Sequence, residues 1–196
     1  LDLVDSAEAT ISGAADYDDS FVYGNVLIEL DGGNRQIVHY GGDDSESYFR
    51  TGTLHFYHNT VVSERSSLAT VVRLSSGAAT LDARNNIFFA LGGGSQIAIL
   101  EDAGTAILSG NWLPTGWQEG SPSLTGTVTA TSNQEGSDPG FTDATSRDYL
   151  LTPESGARGI VVALDSATAA YPVDQQYVDP SSGVSRASAQ NAGAFE

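Results

Sequence analysis

Gly52-Thr53-Leu54-His55-Phe56-Tyr57-His58-Asn59 sets a frame that the chain repeats: a small residue, Thr, five residues, then Asn. The frame returns as Ala79-Thr80 to Asn86, Gly104-Thr105 to Asn111 and Gly126-Thr127 to Asn133, and a weaker copy ends at Asn25. Successive Asn residues lie 34, 27, 25 and 22 positions apart. Self-similarity at such periods marks an array of stacked units. Within each unit an alternating stretch precedes the Asn, and a short apolar run such as Val26-Leu27-Ile28 or Ile87-Phe88-Phe89 follows it. A polar break such as Gly92-Gly93-Gly94 and a third apolar stretch (36–40, 68–74 or 96–100) complete the unit. Period-two alternation with β-branched residues argues for strands. Three strands per unit describe one coil of a parallel β-helix, and parallel crossovers are right-handed in nearly all cases.

Coils stack at roughly 4.8 Å, the spacing of hydrogen-bonded strands. An Asn at one corner of every coil can donate to and accept from its neighbours above and below. It also suits the sharp turn there, because Asn tolerates the left-handed conformation. This predicts an asparagine ladder. That Asn merely ends each strand is the competing reading, and four matching frames weigh against it. The fold class is therefore all-β: a right-handed parallel β-helix with an asparagine ladder and an irregular C-terminal cap.

Composition narrows the chemistry. The chain has 196 residues, a net charge of −17 and a pI near 4.1, with no Cys and no Met. All eight basic residues are Arg. Disulfides, thiolate metal sites and Cys nucleophiles are excluded, as is Lys chemistry. Strong negative charge disfavours nucleic acid and anionic membranes as partners, and no apolar run is long enough to span a bilayer. Two acidic clusters, Asp16-Tyr17-Asp18-Asp19 and Asp43-Asp44-Ser45-Glu46, are candidates for Ca²⁺. Neither fits the EF-hand pattern, and solvated acidic loops are the plainer reading.

Residues 1–136 carry the coil grammar, and residues 137–196 are turn-rich, as the cap or extension of the same domain. The start at Leu1-Asp2-Leu3-Val4 reads as the middle of a coil. The open edge near residues 1–6 is therefore expected to be covered by preceding coils or by a second chain.

Asp138-Pro139-Gly140-Phe141, Asp148-Tyr149-Leu150-Leu151, Ala157-Arg158-Gly159 and Gly193-Ala194-Phe195-Glu196 resemble the C-terminal end of secreted bacterial right-handed β-helix proteins of the pectate-lyase-like superfamily. The stretches 23–28 and 33–42 look like internal coils of the same group. The resemblance covers nearly the whole chain and is specific for fold. That superfamily includes lyases, hydrolases, epimerases and non-catalytic surface proteins. The resemblance implies an extracellular bacterial protein that contacts polysaccharide through the outer face of the strands at 36–40, 68–74 and 96–100.

On that face the candidate catalytic residues are His39 and Arg73, and the candidate substrate-binding residues are Arg35, Tyr40, Asp43 and Asp44. Arg reads a uronate carboxylate through paired hydrogen bonds. β-Elimination needs a base for the proton alpha to that carboxylate and a group that stabilises the enolate. Placing Val72 and Leu74 inward turns Arg73 and His39 outward. Aligning 1–3 directly on 37–39 turns His39 inward and Tyr40 outward instead. Counting back from the ladder also stacks Phe21, His55, Asp82 and Ile107 in one outward column, with Tyr23, Tyr57, Arg84 and Ser109 beside it. His55–Asp82 and Tyr57–Arg84 read as surface pairs and His58 as exposed. The three His lack metal-ligand spacing. Trp112 belongs with Val26 and Ile87 in the core, and Trp117 is the more exposed of the two tryptophans.

Two functions compete. One is part of a carbohydrate-active β-helix acting on an acidic polysaccharide by lyase chemistry. The other is a non-catalytic β-helix of the adhesin, surface or filament type. An Arg–His groove favours the first, and a self-complementary outer face the second.

Overall fold

The computed structural model describes residues 1–3, 14, 17–43, 49–178, 182–186 and 190–196. Asp16, Asp44, Ser45 and Glu46 lie outside the described residues, as does the stretch 4–6 of the expected open coil. The coil strands are β1 (Asp2–Leu3), β2 (Asp19–Tyr23), β3 (Val26–Glu29), β4 (Gln36–Tyr40), β5 (Thr53–Tyr57), β6 (Thr60–Ser63), β7 (Ala69–Leu74) and β8 (Thr80–Arg84). They continue as β9 (Ile87–Ala90), β10 (Ile97–Asp102), β11 (Thr105–Ser109), β12 (Trp112–Pro114), β13 (Gln118–Gly120), β14 (Thr127–Thr131) and β15 (Gln134–Gly136). These form three five-stranded parallel sheets: sheet A, β1-β4-β7-β10-β13; sheet B, β14-β11-β8-β5-β2; and sheet C, β15-β12-β9-β6-β3. The chain passes from B to C to A in each coil, so this is a parallel β-helix. Among the described residues no helix is long and apolar enough to cross a membrane.

The repeated frame sets the register. Thr53, Thr80, Thr105 and Thr127 are partners across sheet B, as are His55, Asp82 and Ile107. The five Asn residues stack at the B-to-C corner. In each step the lower Asn donates its backbone N–H and its side-chain amide to the Oδ1 of the next, at 2.8–3.1 Å. From Asn59 onward the amide also donates to a strand carbonyl of the preceding coil, as Asn86 does to Phe56 at 2.8 Å. The left-handed conformation sits one residue earlier than expected. His58, Asn85 and Ser132 have φ of 51°, 58° and 55°, and Gly24 and Gly110 take the same place. At Gly110 glycine is also demanded by space: a Cβ there would lie 2.5 Å from Asn85 Oδ1.

Two cores result. One fills the coil with Leu54, Phe56, Leu81, Ala83, Leu108, Val61, Phe88, Leu113, Val72, Leu74 and Leu100. The second lies outside the coil. Val62, Ile87 and Trp112 project from the outer face of sheet C and pack on Phe141, Tyr149, Leu151, Ala157, Ala194 and Phe195. Trp112 and Ile87 are core residues, as expected, with Val26 packed against them, and the core they form is this second one outside the coil. The irregular C-terminal segment, with its antiparallel pairs β16 (Phe141–Asp143) with β17 (Asp148–Leu151) and β18 (Gln175–Val178) with β19 (Ser182–Ser185), runs along the flank of sheets B and C. Its anchors reach several coils: Tyr57 to Tyr171 O, Asn85 to Val162 in both directions, Gly193 N–H to Asn85 O, and Ala194 N–H to Thr60 Oγ1. β14 and β15, the last coil strands, stay largely exposed.

Candidate functional site

Register places four ionisable side chains in one row across sheet A. Asp2 is the partner of His39, His39 of Arg73, and Arg73 of Glu101. The row alternates with the inward residues Val38, Tyr40, Val72, Leu74 and Leu100, all fully buried. His39 and Arg73 thus share the outer face, as the first of the two expected registers has it.

Tyr40 is corrected. Its ring is buried in the coil, where its hydroxyl lies 3.4 Å from Asp18 O and beside the Ser20 side chain, and burial raises its pKa. It does not form a rim. Asp43 does stand at the rim, on the exposed turn after β4, whereas Asp44 lies outside the described residues.

The row is held by hydrogen bonds between charges. His39 Nδ1 lies 3.0 Å from Asp2 Oδ1, and its Nε2 lies 2.8 Å from Ser75 Oγ. The Asp2 carboxylate can only accept, so the Nδ1–H donates to it. Nε2 faces the Ser75 hydroxyl and, at 3.8 Å, Asp43 Oδ1. The imidazole side chain is 14% exposed, so it is oriented and yet reachable. Arg73 is 28% exposed and bonds Asp43 Oδ1 at 2.7 Å and Asp102 through Nε. Burial works against its charge, but the Asp102 and Asp43 carboxylates outweigh burial and raise its pKa. Arg35 pairs with Glu101, which also accepts from Gln36 Nε2 at 3.0 Å. Glu101 is itself buried, and its Oε2 has no hydrogen-bond partner.

Four members were not singled out from the sequence: Asp2, Ser75, Glu101 and Asp102. Glu101 was within reach, because extending the Arg73 register into the next coil lands on it. Ser75 follows β7, and Asp102 is the last residue of β10 with a φ of 70°, so both sit where period-two counting stops.

The remaining expectations turn on the C-terminal segment. His55, Tyr57 and His58 are buried beneath it rather than exposed. Trp112 is buried, and Trp117 is half-buried with its indole N–H on Glu135 at 3.0 Å. Of the acidic clusters, Asp19 bonds His55 and Asp43 bonds Arg73, so both carboxylates have cationic or imidazole partners. Comparison with protein-family models, with curated proteins and with solved structures found no match.

Proposed function

We propose that this β-helix acts on an acidic, uronate-containing polysaccharide along the outer face of sheet A, by β-elimination. The observation that carries this is the adjacency of an oriented base and a carboxylate reader: His39, fixed by Asp2, directly beside Arg73 on the next strand. In the proposed step His39 Nε2 takes the proton alpha to the uronate carboxylate. The Arg73 guanidinium holds that carboxylate and stabilises the enolate as its charge develops. The electron pair then expels the glycosidic oxygen from the beta carbon, that oxygen takes a proton from solvent water to become the hydroxyl of the leaving sugar, and an unsaturated sugar remains. Asp43 sits on an exposed turn, so a uronate carboxylate replaces it on Arg73 one charge for one. A secreted bacterial setting fits the same reading and rests on the resemblance described above.

A second reading has its own support. Arg73 is held by two carboxylates and Arg35 by one, so each cation is already neutralised. That is the pattern of a structural ion ladder, and it favours a non-catalytic β-helix of the surface or adhesin type.

The full chain and its His39→Ala variant, incubated with polyuronate, distinguish the two. The conjugated alkene of the product absorbs in the ultraviolet. The lyase reading expects product from the wild type and a loss of about hundredfold in the variant, the usual worth of a positioned base. No product from the wild type, or an unchanged rate in His39→Ala, overturns it.

A further inference from the structure

Sheet B carries a second cluster, more than a turn of sequence away from the face just described. His55 on β5, Asp82 on β8 and Asp165 of the C-terminal segment bring one donor atom each within 4.8 Å of the others. His55 and Asp82 are register partners on adjacent strands, and Asp165 is laid over them from outside. His55 is 5% exposed, and its Nδ1 has no hydrogen-bond partner. That nitrogen faces Asp165 Oδ2 at 3.4 Å. A buried imidazole nitrogen left without a hydrogen bond carries a free-energy penalty unless something else occupies its lone pair.

The other ring nitrogen has a partner. His55 Nε2 lies 3.1 Å from the Asp19 carboxylate, which accepts from it. Nδ1 is then the ring atom open to an ion, which would take the place of any proton facing Asp165. A carboxylate behind one nitrogen with the other turned toward an ion is how metal-ligating His is usually held. The ring is also clamped: Phe21 stacks on it at 4.8 Å with planes 8° apart, and Tyr171 packs against Phe21 at 4.4 Å. A separation of 3.4 Å is what two donors take around an ion bound at about 2.1 Å with tetrahedral angles. One oxygen of Asp82 accepts from Arg84 Nε at 2.7 Å, and Asp165 Oδ1 accepts from the Thr168 N–H at 3.1 Å, so both carboxylates are oriented from behind.

We propose that His55, Asp82 and Asp165 bind a divalent transition-metal cation of the zinc class, which ties the C-terminal segment to the coil stack. One imidazole and two carboxylates suit such an ion better than Ca²⁺, which takes six or more oxygens. Three protein donors leave a fourth position for water. The site joins two adjacent coils to the segment that covers them, so its first consequence is mechanical: bound metal stabilises the folded arrangement of that segment.

Calorimetric titration of the full chain with zinc ion alone tests this, with Ca²⁺ and Mg²⁺ as comparison ions. The wild type is expected to bind one zinc ion, and Asp165→Asn and His55→Gln are each expected to weaken it at least tenfold. Glu154→Gln, a change at an exposed carboxylate outside the cluster, is expected to leave zinc affinity unchanged. Zinc should also raise the melting temperature of the wild type and not that of Asp165→Asn. If His55→Gln fails to fold, Asp165→Asn alone decides, because Asp165 lies on the covering segment and not in a coil. No zinc binding by the wild type, or equal affinity in Asp165→Asn, overturns the proposal and leaves the cluster as a His55-centred ion-pair network. Tighter binding of Ca²⁺ than of zinc overturns the assignment of the metal class.

Discussion

Asn86→Ala is expected to lower the folding free energy by about 3–4 kcal/mol, one of the largest losses open to a single polar side chain in this fold. Asn86 is fully buried at the middle rung of the ladder. Its Oδ1 accepts from the backbone and side chain of Asn59 at 2.9 and 3.1 Å, and its amide donates to Phe56 O and to Asn111 Oδ1 at 2.8 and 2.9 Å. Alanine removes all four bonds. The Asn59 backbone N–H is then left buried without its acceptor, the costly half of a broken hydrogen bond. Both neighbouring rungs, Asn59 and Asn111, are also fully buried, so bulk solvent does not reach the groups left behind. Asn133→Ala, at the half-exposed last rung, should lose far less, because solvent can replace what is removed. In a chain of this size the Asn86 change corresponds to a fall of about 6–16 °C in melting temperature. Equal melting temperatures for Asn86→Ala and Asn133→Ala would contradict the ladder account.

Acid should destabilise the fold through His58. Burial drives its pKa down from 6.5 to about 4, with the nearby Arg186 guanidinium acting in the same direction and a bond to Asn191 O opposing both. Around it stand Asn85 Nδ2, 3.2 Å from Nε2, and the ring of Tyr57 edge-on at 6.5 Å. The folded pKa lies below the unfolded one, so the unfolded chain binds the proton first. Stability from this group is complete above about pH 6.5 and is lost as pH falls toward 4. The full loss is about 3 kcal/mol, from roughly 1.4 kcal/mol per pKa unit. His58→Asn isolates the effect. The position has φ of 51°, and Asn85 occupies the same place in the next coil at 58°, so Asn fits the backbone. Denaturant unfolding across pH 4–7 should show a flattened acid limb in the variant. An unchanged pH dependence would mean that His58 is not held neutral by burial.

The coil grammar was legible in the sequence because stacking at strand spacing forces equivalent residues to repeat. The Asn corner and the Thr register of sheet B follow from counting in twos from a common mark, and the His39–Arg73 pairing is one of the two registers that this counting left open. The outer face of sheet C was not legible. Ile87 and Trp112 look like coil core because they are apolar, and what makes them apolar is a segment that begins about 30 residues after Trp112 and returns along the flank. The burial of His55 and His58 was hidden for the same reason. The partners of Arg73 come from neighbouring coils, Asp43 from the turn after β4 and Asp102 from the end of β10, where spacing varies from coil to coil and period-two counting stops. Tyr40 shows the opposite limit: one residue of register decides between rim and core, and aromatic character does not say which.

Calorimetric titration of a uronate oligomer and of its carboxyl-reduced counterpart, into the full chain and into Arg73→Ala, tests most directly whether the outer face of sheet A reads a carboxylate. Arg73 pairs through charge-assisted bonds, each worth about tenfold or more in affinity. The wild type is expected to bind the uronate oligomer at least tenfold tighter than the reduced one, and Arg73→Ala to abolish that preference. Equal affinity for the two oligomers in the wild type, no binding of either, or an undiminished preference in Arg73→Ala would contradict it.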